Sequence, residues 1–69
     1  MFIKDKSGCL YNSDYIKKIY KVIYPPYKLM DIFAVTTEDI TIVLKNDLSE
    51  KESEEEMYKL EDILNNKRR

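Results

Sequence analysis

The chain has 69 residues, 43% of them hydrophobic and 36% charged, with a formal net charge of -1, one cysteine and no histidine. A domain of this size buries only about 60% of the surface its unfolded chain exposes, and its single core rarely supplies more than ~3–5 kcal/mol without a staple. Composition excludes two of the usual staples, because Cys9 has no cysteine to pair with and a Cys/His zinc site cannot be assembled.

Phe2 and Ile3 open a short apolar segment. Lys6-Ser7-Gly8 is a turn signal, since glycine accepts the positive φ that tight hairpins need, and Cys9-Leu10-Tyr11 reads as the returning strand. A lone cysteine in such an arm is expected to be a small buried hydrophobe rather than a reactive thiol. Asn12-Ser13-Asp14 favours a turn or a cap, because these side chains bond their own backbone.

Between Tyr15 and Tyr24 two periodicities compete. Ile16, Ile19, Tyr20 and Ile23 fall at helical spacing with Lys17, Lys18 and Lys21 opposite. The residue types point the other way, since β-branched and aromatic side chains lose χ1 freedom in a helix and pack well on a pleated surface. The segment is therefore read as one turn near Ser13–Ile16 running into a strand, ended by Pro25-Pro26.

Lys28 to Thr36 is a further strand candidate, and Thr37-Glu38-Asp39 separates it from the β-rich Ile40–Leu44, which together read as a hairpin. Lys45 to Leu48 reads as a connector. Two overlapping capping boxes, Ser49 with Glu52 and Ser53 with Glu56, mark a helix start, and Met57, Leu60 and Leu64 with Ile63 give that helix a narrow apolar stripe. The fold expected is a single α+β domain: a small antiparallel sheet of four or five strands over residues 1–45, one C-terminal helix over 50–66 packed on it, and a basic tail at 67–69. Its core is expected to contain Ile3, Ile19, Ile32 or Phe33, Ile42, Leu44, Leu60 and Leu64.

Met1-Phe2-Ile3, the Leu10–Ile16 block leading to Ile19-Tyr20, and Ser53–Glu56 leading to Leu60, Ile63 and Leu64 give the chain a resemblance. It resembles a group of small uncharacterised proteins from low-GC bacteria and their phages, built as a short β-meander with a closing acidic helix. The resemblance implies strand for Lys17–Tyr24 and brings no activity with it. Pro25-Pro26-Tyr27 and the Asn46–Glu52 stretch depart from that pattern.

Catalytic chemistry finds little support. Histidine is absent, which excludes serine or cysteine nucleophiles activated by it, and Gly8 is the only glycine, so phosphate-cradling loops have no basis. Glu54-Glu55-Glu56 with Glu52, Glu61 and Asp62 read as a solvated helix face that favours the dipole rather than as a metal site. No enzyme activity, cofactor or metal is expected. No apolar run approaches the ~20 residues of a membrane span. The scarcity of cysteine and the lack of an export signal at the start make the cytoplasm the expected address.

Charge is distributed unevenly. Residues 50–62 carry seven acids against Lys51 and Lys59, whereas Lys17, Lys18 and Lys21 stand among Tyr15, Tyr20 and Tyr24. The first reading of function is a non-enzymatic protein-interaction module or inhibitor whose acidic face, Glu54, Glu55, Glu61 and Asp62, meets a basic nucleic-acid-binding surface of a protein partner. The resemblance and the composition suggest a phage-encoded protein, and the row of carboxylates, suited to a basic groove shaped for phosphates, suggests as its target a host nucleic-acid-handling or defence complex of the CRISPR type. The alternative is a small nucleic-acid-binding domain that uses Lys17, Lys18, Lys21, Tyr20 and Tyr24, lysines for phosphates and rings for bases. Self-association as a homodimer is also expected, with Tyr24 and Tyr27 suited to the contact.

Overall fold

The computed structural model describes residues 1–24 and 28–66. The reading of Pro25-Pro26 as a strand terminator, the role given to Tyr27 and the basic tail at 67–69 lie outside the described residues. In chain order the elements are β1 (Phe2–Lys4), β2 (Leu10–Asn12), a single 3₁₀ turn (Ser13–Tyr15), β3 (Ile16–Tyr24), β4 (Leu29–Thr36), β5 (Thr41–Leu48) and α1 (Glu50–Asn66). This is an α+β fold. Its five strands form two antiparallel sheets, the pair β1-β2 and the triplet β3-β4-β5, with β4 central.

The β1-β2 hairpin closes on Gly8, whose φ of 96° only glycine adopts without cost. At Asn12 the chain turns, its side chain accepting from the Asp14 N–H at 3.0 Å, and a single 3₁₀ turn redirects it into β3. The β-branched content of residues 16–24 prevails over their helical spacing, as their composition indicates, and the strand pairs with β4 from Tyr24↔Leu29 to Ile16↔Thr36 with one bulge beside Lys17. The β4-β5 turn is tied by Thr36, whose hydroxyl oxygen accepts from the Ile40 N–H at 3.1 Å while Asp39 takes a φ of 64°. One expectation fails here: Lys45 to Leu48 is strand, not connector. Bulges between Met30 and Phe33 let β5 continue while keeping Leu44 and Leu48 toward the core.

Along β4 burial alternates strictly, with Met30, Ile32, Ala34 and Thr36 buried and the residues between them half-buried. The buried side faces α1. Ile3, Ile16, Ile32, Ala34, Leu44 and Leu60 form the core, and Ile19, Ile42, Leu64, Tyr11, Leu48, Met57 and Ile63 pack around it. Each fully buried Ile or Leu contributes about 1.5–3 kcal/mol. Of the two candidates on β4, Ile32 is in the core and Phe33 points to the other side of the sheet.

Of the two capping boxes, the first forms. The Glu52 N–H donates to Ser49 Oγ at 3.2 Å and the Ser49 N–H to Glu52 Oε1 at 3.3 Å. Ser53 is fully buried one turn further on, its hydroxyl donating to the Glu50 carbonyl at 2.7 Å and lying 2.9 Å from Met30 Sδ. It therefore anchors α1 to β4 instead of capping.

Candidate functional site

The outward side of α1 is built by helical spacing alone. Met57, Leu60 and Leu64 turn to the sheet, which directs Glu54, Glu55, Tyr58, Glu61 and Asp62 to solvent. Tyr58 is 79% exposed, the most exposed large hydrophobic side chain among the described residues. The four acids stand at three and four residues on either side of it, which are the nearest-neighbour positions on a helix. Tyr58 with Glu61, Asp62 and Asn65 also lines a shallow hollow of ≈ 220 Å³. The structure thus brings all four acids predicted for the acidic face together around a ring.

None of the four forms an ion pair among the described residues. The ion pair on α1 joins Lys59 to Glu56 at 3.9 Å. No group of three acids converges on a point that could hold a metal among the described residues. The surface offers a phenol ring framed by carboxylates that form no ion pair among the described residues. Chemically, such carboxylates can accept charge-assisted hydrogen bonds from guanidinium or ammonium N–H groups, and a guanidinium can stack on the ring.

The lysine and tyrosine set on β3 is not kept together. Register places Lys18, Tyr20, Val22 and Tyr24 opposite Val35, Phe33, Asp31 and Leu29, on the sheet face turned away from α1. Tyr20 stacks on Phe33 with ring centroids 5.5 Å apart, and Lys18 Nζ lies 5.9 Å from the Tyr20 centroid. Lys21 faces the other way, paired with buried Ile32. Lys17 occupies the bulge and bonds Asp39 at 2.7 Å, and that ammonium holds the Asp39 carboxyl below the usual carboxylate range. Only Lys18 stays beside the rings.

Cys9, expected to be buried, is exposed. It lies in the β1-β2 turn just before β2, its carbonyl oxygen accepting from the Asp5 N–H at 2.9 Å, so its side chain is not packed within a strand. A cavity of ≈ 330 Å³ is lined by Asp5, Lys6, Ser7, Ile42 and Val43. Its one carboxylate is already engaged: Asp5 Oδ1 accepts from the Ser7 and Cys9 N–H groups at 2.9 Å and from the Ser7 hydroxyl at 2.7 Å, and Oδ2 from the Tyr11 hydroxyl at 3.1 Å. That carboxylate closes a turn and has no free oxygen to offer chemistry.

Tyr58 was not singled out from the sequence, and Phe33 was weighed only as a core alternative to Ile32. Both were within reach: Tyr58 from a helical wheel centred on the acids, Phe33 from the alternation of β4. No helix among the described residues is long and apolar enough to cross a membrane. Comparison with known proteins finds no family model that matches the chain, no curated protein similar in sequence and no solved structure similar in fold.

Proposed function

We propose that this protein is a non-catalytic binding module that docks the outer side of α1 onto a basic surface of a protein partner. The observation that carries the reading is Tyr58, exposed and framed by Glu54, Glu55, Glu61 and Asp62, none of which forms an ion pair among the described residues. Interface hot spots favour tyrosine and arginine, and a row of carboxylates on a rigid helix suits a groove shaped for phosphates. A nucleic-acid-handling or defence complex in the cytoplasm is the proposed setting, supported by this charge pattern. The test is titration of the isotopically labelled protein with an oligoarginine peptide. Amide shifts centred on residues 54–62, abolished when Glu54, Glu55 and Glu61 are reversed to lysine, support the reading.

A second reading has one observation behind it, the Lys18–Tyr20–Phe33 arrangement on the open sheet face, which resembles a stacking platform for single-stranded nucleic acid. It ranks lower for two structural reasons. Lys17 and Lys21 are directed elsewhere, and Asp31 shares that face.

A further inference from the structure

The geometry points to a second binding surface, the outer edge of β3, whose occupant is β3 of a second copy of this chain, paired antiparallel and centred on Tyr20. β3 ends its sheet, so the side away from β4 meets no other strand among the described residues. Three of the large apolar side chains exposed on the molecule lie on this one strand: Tyr20 (37%), Ile23 (54%) and Tyr24 (45%). A long exposed apolar edge is a template for pairing, and lysines are a common device for restricting it.

Here the lysines restrict the register rather than forbid pairing. In a two-fold symmetric antiparallel pair, facing residues sit on the same side of the sheet, so the axis passes beside one residue of β3. Centring on Lys18 or Lys21 sets that lysine against itself, and centring on Ile19 sets Lys17 against Lys21. Centring on Tyr20 sets Lys18 against Val22 and Lys21 against Ile19, with no like charges opposed. Centring on Val22 also avoids them, but it pairs fewer residues of the strand. The symmetric contact closes on itself, joins two triplets into one six-stranded sheet, and supplies the reinforcement that a core this small lacks. A strand from another protein would gain no advantage from this self-complementary spacing.

The experiment is analytical ultracentrifugation of the full chain from micromolar to millimolar concentration, with variants at Val22. The parent is expected to approach twice its 8.3 kDa mass. V22K, which opposes Lys18 of the second copy twice, should weaken the dimer about tenfold, whereas V22E should not weaken it, and K18E added to V22K should restore it. A parent that stays monomeric throughout overturns the proposal, as does equal loss in V22K and V22E. Should V22K fail to fold, amide exchange of the parent decides: protection along β3 that rises with concentration supports the pairing, and exchange independent of concentration overturns it.

Discussion

The Tyr11 hydroxyl donates to Asp5 Oδ2 at 3.1 Å, fastening β2 to the residue that also closes the β1-β2 turn. The Ser7 hydroxyl bonded to that carboxylate is the main reason the Asp5 carboxyl titrates below its usual 3.8, with the Cys9 N–H and Tyr11 assisting against partial desolvation. A lowered carboxyl pKa stabilises the fold above the unfolded value and ceases to do so as pH falls through the folded one. The Asp5→Asn variant should therefore melt below the parent at neutral pH, with the gap closing as pH drops below 3.8. Thermal melts across that range check it, and a gap that persists unchanged in acid would refute the assignment.

The same bond works in the opposite direction at high pH. Tyr11 titrates above its usual 10.0 chiefly because its hydroxyl donates to Asp5. A raised tyrosine pKa contributes stability that is complete below the unfolded value and lost as pH rises through the folded one. Tyr11→Phe should lower the melting temperature at neutral pH and should lose less stability than the parent as pH rises past 10.

Leu60 joins α1 to the core and is 8% exposed. Leu60→Ala should cost about 2–5 kcal/mol, enough to unfold much of so small a domain. Ser49→Ala, which removes the formed capping box, should cost about 1 kcal/mol. Urea denaturation of both variants orders the two effects. A larger loss at Ser49 than at Leu60 would contradict the docking of the helix described here.

Much of this architecture was legible in the sequence, and the failures share a cause. Turn residues, β-branched runs and a capping box are local signals, which is why residues 16–24 could be read as strand and 50–66 as helix. What depended on distant partners was not legible. Ser53 looks like a second cap until Met30 and the core occupy its side of the helix. Lys45–Leu48 looks like a connector because a bulge lets polar residues alternate outward while the strand continues. Helical spacing alone places Glu54, Glu55, Glu61 and Asp62 on one side of α1, whereas the Tyr58 between them carries no charge that would mark it. The Lys/Tyr set looked unified only because sequence proximity hides the bulge and the alternation that divide Lys17 and Lys21 from Lys18.

Replacing Tyr58 separates charge attraction from shape. Tyr58→Ala leaves the carboxylates in place and lies on an exposed helix position, so stability should change by less than about 0.5 kcal/mol. Affinity for a basic partner should fall by more than tenfold if the ring is an anchor, on the order of the 1.4 kcal/mol or more that hot-spot truncation removes. Loss of only the salt-dependent part of binding would leave the ring with no role.

Binding at the outer side of α1 is tested most directly by parallel titrations of the labelled protein. With an oligoarginine peptide, shifts should centre on Tyr58 and its four acids, weaken as salt screens charges over ~8 Å at physiological ionic strength, and vanish in the folded triple variant E54K/E55K/E61K. With an oligothymidylate, little should move. Shifts on Tyr20 and Phe33 with the oligonucleotide, together with equal peptide affinity in the parent and the triple variant, would contradict the account and favour the open sheet face.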